Sequence, residues 1–193
     1  MDLIAISTAG KVDSEGTAFA EASLGSVLGV RTRRIEALPD TEDAWDPGRR
    51  QHSSTLFLRE AVARRPADAF KIVVLTEYDI FIPMLTFVYG QAQLGGPAAV
   101  VSFARLRQEF YGLPPDRALF LERVGKESLH EVGHTLGLTH CGDRLCTMSL
   151  STTVQQLDFK RAAYCEACRL LMGRPERDLR PLQAAGSLTE EMK

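Results

Sequence analysis

Residues 130–141 read His130-Glu131-Val132-Gly133-His134-Thr135-Leu136-Gly137-Leu138-Thr139-His140-Cys141, and they hold three of the four histidines in the chain. On an α-helix, positions i and i+4 share a face one turn apart. His130 and His134 therefore point the same way and can bind one metal ion. Glu131 stands one step round the helix, near that ion but outside its ligand shell. Gly137 comes three residues after His134; glycine accepts positive φ and can end a helix in a sharp turn. The two residues that follow give enough reach to bring His140 back beneath the helix as a third imidazole. Three protein ligands leave one tetrahedral position open for water, the pattern of a catalytic rather than a structural zinc. A solvated helix that merely collects histidines explains neither Gly137 nor His140. A different architecture takes its third ligand as a glutamate from a later helix; the nearest is Glu166, which lies between two cysteines with another task.

That task is a second metal site. All four cysteines follow the histidine helix: Cys141, Cys146, Cys165 and Cys168. The spacing C-x4-C, a gap, then C-x2-C is how chains build a closed four-cysteine zinc site. Disulfides and independent buried thiols are the alternatives. If the zinc reading holds, His140 and Cys141 give adjacent ligands to two different ions, and the second ion fixes the loop that delivers the third histidine.

The pattern HExxHxxGxxHC-x4-C-x-M with a distal CxxC resembles the archaemetzincins, zinc metalloproteases of the metzincin clan. The likeness extends upstream through Phe87–Ala92 and through Ala99–Ser102 to Arg105-Leu106. The resemblance implies that His130, His134 and His140 hold the catalytic zinc and that Glu131 is the general base. It also implies that Cys141, Cys146, Cys165 and Cys168 hold a structural zinc, giving two zinc ions per chain. Met148, two residues after Cys146, matches the family's Met-turn, an apolar floor beneath the metal. The family's substrate cleft lies between two subdomains, and peptide binds along an exposed edge strand. The resemblance puts that edge in or near the Leu85 to Ala92 region.

The rest of the chain bounds this reading. At 193 residues one domain is the default. We expect residues 1–193 to form one catalytic domain, with an N-terminal subdomain 1–137 that includes the histidine helix and a C-terminal subdomain 138–193. A net charge of −2 implies no nucleic-acid partner. Arginine outnumbers lysine 18 to 5, which reads as compositional bias. No apolar run reaches the ~20 residues needed to span a bilayer, and the short apolar start lacks a basic leader. The expected location is cytoplasmic, with no membrane partner. No cysteine precedes residue 141, which excludes a cysteine-based latency switch in the chain as it stands.

Periodicity gives the element order. Residues 2–8 read as a strand, 14–28 as a helix, 29–37 as a strand, 38–48 as a loop and 51–65 as a helix opened by His52, read as a surface residue with no metal role. Lys71 to Glu77 is an apolar run typical of a buried strand. Leu85 to Tyr89 and Ala98 to Phe103 read as strands joined through Gly95-Gly96-Pro97. Phe87 and Tyr89, two apart, share a face and read as core; Glu77 and Asp79 at a strand end read as solvated. Pro114-Pro115-Asp116 precedes a long helix to about Leu136. Thr152-Thr153 caps a last helix of about 154–172 that carries the CxxC, and the tail after Gly173 reads as extended or loose. Gly133 inside the long helix costs ~1 kcal/mol against alanine, which points to close packing there. The expected fold class is α/β (α+β) and metzincin-like. It has an N-terminal mixed β-sheet with flanking helices, the long active-site helix, and a mostly helical C-terminal part with the four-cysteine zinc site.

These parts predict a zinc metallopeptidase acting on peptide or protein substrates: zinc activates a water, and Glu131 takes its proton. A zinc hydrolase of a non-peptide amide, or a protein using both zincs structurally, are the rivals. The intact Glu131 argues against the second, because a purely structural site needs no base.

Overall fold

The computed structural model describes residues 3–39 and 42–172. The elements run β1 (Leu3–Ala9), α1 (Ser14–Leu28), β2 (Arg31–Arg34), β3 (Trp45–Asp46), β4 (Gln51–Ser53), α2 (Ser54–Arg64), β5 (Lys71–Thr76), β6 (Ile80–Phe81), β7 (Gly90–Ala92), β8 (Ala98–Ser102), α3 (Arg117–Thr135), α4 (Val154–Phe159) and α5 (Glu166–Met172). The mixed α/β architecture matches the sequence expectation. The C-terminal tail expected to be loose lies outside the described residues.

Five strands form the main sheet in the order β2-β1-β5-β8-β7. The first four are mutually parallel, and β7 pairs antiparallel with β8 at the edge. The three central strands are apolar because both of their faces are covered. Ile4, Ile6, Val73, Leu75, Ala99 and Val101 point towards α1 and α3. Leu3, Ala5, Ile72, Val74, Ala98 and Val100 point towards α2. Period-two alternation thus divides the core into two layers. The opposite edge, β2, reads Arg-Thr-Arg-Arg, and its exposed charges discourage pairing with another chain.

Asp13 caps α1 by accepting from Gly16 N at 2.7 Å, and Asp116 caps α3 by accepting from Leu119 N at 2.9 Å. Arg117 on α3 pairs with both Asp13 and Glu15, which ties the starts of the two helices together. α3 crosses beneath the sheet and is buried along nearly its whole second half.

Several elements differ from expectation, each for a tertiary reason. Residues 51–53 form a strand rather than the start of a helix. His52 pairs with Ile80 in a small second sheet, and its ring stacks on Tyr78 at 4.0 Å. The expected 38–48 loop holds a 3-10 turn, Glu42–Ala44, and β3. The strand expected at 85–89 begins only at Gly90. Residues 85–89 run as a loop with one isolated bridge, Ile80 to Val88. The expected last helix breaks at Lys160–Cys165 into α4 and α5. Within the break, Ala163 O accepts from Thr147 N and Leu145 O accepts from Arg161 N, so the chain gives up helical bonds for bonds to the segment it must cover. Glu77 and Asp79 are not merely solvated: Asp79 takes a two-pronged bond from Arg105, and Glu77 pairs with Arg107.

Candidate metallopeptidase active site

Along α3, Leu129 and Val132 face the core, while His130, Glu131 and His134 turn towards a cleft of about 530 Å³. His130 Nδ1 lies 2.8 Å from Thr147 O, and His134 Nδ1 lies 2.7 Å from Leu138 O. A carbonyl only accepts, so in both rings Nδ1 carries the hydrogen and Nε2 presents its lone pair. The two Nε2 atoms are 3.2 Å apart. The helix ends as expected: Gly137 has φ 88°, Leu138 N donates to Gly133 O at 3.0 Å, and Gly137 N donates to His134 O at 2.9 Å. These two bonds make a Schellman turn. It also aims the Leu138 carbonyl at His134 and swings His140 round. Ligand nitrogens of His130, His134 and His140 all lie within 4.8 Å of one another.

Burial holds the three imidazoles neutral, the form that binds metal. It pushes His130 well below the ordinary histidine range and lowers His134 and His140. Burial, and then the neighbouring Glu127 carboxyl, raise Glu131 well above the usual carboxylate range. Glu131 lies beneath the edge strand. A Cβ added to Gly90 would fall 2.5 Å from Glu131 Cγ and 2.7 Å from its Cδ and Oε1. Only glycine lets β7 pass this close to the carboxyl. Glu131 Oε2 is buried with no donor to it among the described residues, and the carboxyl pairs with that of Glu127.

Met148 is fully buried against Gly133 of α3, and its backbone O accepts from Cys141 N at 2.9 Å. A Cβ on Gly133 would land on Met148 Sδ and lie 3.1 Å from Tyr164 Cε1. The close packing expected at Gly133 is therefore an approach of these two side chains. Tyr164 also donates from its hydroxyl to Leu129 O at 2.6 Å, fastening the C-terminal part to α3.

The four cysteines converge as a set whose sulfurs lie within 4.8 Å of one another. Cys141 and Cys165 are 3.7 Å apart, and Cys146 and Cys168 are 3.8 Å apart. All four are free thiols, and these separations are far beyond the ~2.05 Å of a disulfide. Glu166 is exposed at the start of α5 and stands outside the histidine cluster.

Sequence reading missed several residues at the site. Glu127 shares a face with Glu131 one turn away, and the i, i+4 rule that paired the histidines would have found it. Lys160 and Thr147 carried no local signal. Lys71, buried on β5, donates to Thr135 O at 2.7 Å and to Gly96 O at 3.0 Å, capping the C-terminal end of α3 from the sheet face it packs on. Phe87 and Tyr89 meet edge to face at 5.3 Å; Tyr89 is core, while Phe87 is only half-buried at the cleft wall.

A two-layered sheet over a histidine helix, an edge strand across its cleft and a cysteine cluster behind it define the metzincin kind of zinc metallopeptidase. The model of peptidase family M54 matches residues 62–174. The archaemetzincin of Methanocaldococcus jannaschii is 39% identical over 168 residues, covering 86% of this chain and 89% of that one. The archaemetzincin of Pyrococcus furiosus is 35% identical, covering 86% and 90%. The crystal structure of archaemetzincin from Methanopyrus kandleri superposes with a TM-score of 0.78 at 35% identity, covering 89% of this chain and 93% of that one. That of the Archaeoglobus fulgidus protein, complexed with malonate, gives 0.75 at 32% identity, covering 88% and 99%. The chain belongs to the archaemetzincins, peptidase family M54.

Proposed function

We propose that the chain hydrolyses peptide bonds with one zinc held by His130, His134 and His140, Glu131 as general base, and a second, structural zinc held by the four cysteines. The observation that carries this reading is the convergence of three neutral imidazoles beside the buried carboxyl of Glu131. The donor sets fit the metal. A tetrahedron with Zn–N of about 2.05 Å has an edge of about 3.3 Å, close to the 3.2 Å between the two imidazole nitrogens. With Zn–S of about 2.3 Å the edge is about 3.8 Å, against the observed 3.7 and 3.8 Å.

Bound at the histidines, zinc would polarise the scissile carbonyl and acidify a water molecule. The chain's own residues do the remaining work. Substrate enters in extended form against β7, which ends the sheet with no further strand beside it among the described residues and lines the cleft. Glu131 receives the proton of the attacking water on its carboxylate and holds it. The new C–O bond forms as that proton is taken; Glu131 then releases the proton to the leaving amine nitrogen, and the amide C–N bond breaks. Met148 and Tyr164 keep α3 from shifting while this happens. The edge strand favours a peptide over other amides, because backbone pairing needs a run of amide groups.

One apolar core runs from β1 through α3 to Met148, Leu157 and Cys168, which supports a single domain with residues 138–172 as its second part. Among the described residues, no helix is long and apolar enough to cross a membrane. Four thiols gathered for a metal require a reducing compartment, and we place the enzyme in the cytoplasm.

The test is Glu131→Gln. The variant should keep both zinc ions by elemental analysis while its peptide kcat falls by about 10²–10⁴. Unchanged hydrolysis with full zinc content would sink the mechanism.

A further inference from the structure

Two buried charged groups line the cleft beside Glu131 and have no part in the steps above: Glu127 and Lys160. They are only 4% and 3% exposed. Lys160 follows the last residue of α4, and its Nζ donates to Thr147 O at 3.2 Å. That carbonyl is the same one that orients His130 through its Nδ1. Thr147 is itself pinned: its hydroxyl donates to Lys126 O at 3.0 Å and its N–H to Ala163 O at 3.0 Å. The carboxyls whose charge reaches the Lys160 ammonium are Glu127 and Glu131, one helical turn apart. β7 passes close to Glu131 at Gly90, where an added Cβ would run into its Cγ and Cδ. Glu131 therefore sits against β7, paired with Glu127 and within electrostatic reach of Lys160, and no donor among the described residues reaches its Oε2.

A buried ammonium is expensive unless paired, and neutralising Glu127 alone would account for its charge. It would not account for the Nζ being spent on the carbonyl that fixes the ligand histidine His130. We propose that Lys160 is a positioning residue that holds the general base Glu131 and the zinc ligand His130 in register with each other, through Thr147 O on one side and the Glu127–Glu131 carboxyl pair on the other. Losing it leaves both side chains in place but uncouples their alignment. This inference rests on the roles given above to Glu131 and His130.

The experiment is a double-mutant cycle on the zinc-loaded full chain with Lys160→Met, Glu131→Gln and the pair. Its readouts are acetohydroxamate affinity by calorimetry, zinc affinity by chelator competition, and kcat and KM on a peptide. Acetohydroxamate bridges a zinc and an adjacent carboxylate, so it reports their alignment without turnover. Lys160→Met should weaken acetohydroxamate and lower kcat by about tenfold each, with KM and zinc affinity within about threefold, and these losses should nearly vanish in the Glu131→Gln background. Lys160→Arg, which keeps the charge, should fold where Lys160→Met does not and enters the same cycle. Losses of equal size in the Glu131→Gln background, or no loss at all, overturn the proposal. So does recovery of acetohydroxamate affinity in Glu127→Gln/Lys160→Met, which would make Lys160 only a counter-charge. A wild type that binds zinc and acetohydroxamate yet cleaves no peptide defeats the peptidase reading, while the affinity cycle still decides the positioning role. A wild type that binds neither overturns both.

Discussion

The sheet region, residues 3–106, and the segment from His140 to Met172 are held together by different means. In the first, three adjacent strands bury apolar side chains on both faces, and helices cover them. In the second, two short helices of six and seven residues carry few buried apolar groups, and four cysteines gather at one point. Helices that short do not persist alone in water. The first region draws on the hydrophobic effect spread over many side chains; the second concentrates its stability in one cluster and a few contacts, Met148 and Tyr164 on α3. The site lies where the two meet, with two histidines on the well-supported helix and the third on the segment that depends on the cysteines.

The largest effect should come from breaking that cluster. Cys146→Ser should abolish metal retention at the cysteines and, by releasing His140, cut peptide hydrolysis by about 100-fold or more. Amide exchange should lose protection across 141–172 while β1, β5 and β8 keep theirs. Uniform loss across the chain would show that the two regions are one cooperative unit.

A smaller effect is expected at the junction. Gly133→Ala places a methyl on Met148 Sδ. It should cost about 1–3 kcal/mol as an overpacking change, read as a lowered midpoint in thermal unfolding. In a Met148→Ala background the same substitution should cost less than it does alone, because the colliding sulfur is gone. Simple additivity would place the strain elsewhere.

The smallest effect belongs to the first region. The hydrogen bond from Arg117, and a further pairing with Arg107, hold the Asp13 carboxyl far below its ordinary range. A depressed folded-state pKa stabilises at pH values above the unfolded value of about 3.9, and the contribution disappears as pH falls below it towards the folded value. Wild type should therefore lose up to about 1 kcal/mol more than Asp13→Asn between pH 6 and pH 2, a modest figure because Arg117 is partly exposed. Parallel curves for the two proteins would show that the pairing contributes nothing.

What was legible in the chain follows the same divide. The unbroken run Ile72-Val73-Val74-Leu75 and the apolar runs of β1 and β8 marked the central strands, because burial on both faces leaves no polar positions. The histidine helix and its Gly137 turn were legible because metal ligation and a positive φ both restrict residue type at fixed spacing. The strand expected at 85–89 was displaced to Gly90–Ala92 because only the glycine can pass over Glu131. The single helix expected at 154–172 was split because Cys165 has to turn back to Cys141. His52 entered a strand, and Asp79 met Arg105, through partners distant in sequence. Such pairings leave no periodic mark.

The sequence by itself determined the family, the central strands, the histidine and cysteine spacings and the glycine that ends the helix. Each is written locally, since a ligand set, a turn or an alternation involves residues a few positions apart. Only the tertiary structure decided that Gly90 roofs Glu131, that Lys71 of β5 caps the end of α3, and that Thr147 O serves both His130 and Lys160. Those contacts join segments brought together by the burial of the sheet and the gathering of the cysteines, and chain order alone does not set their distances.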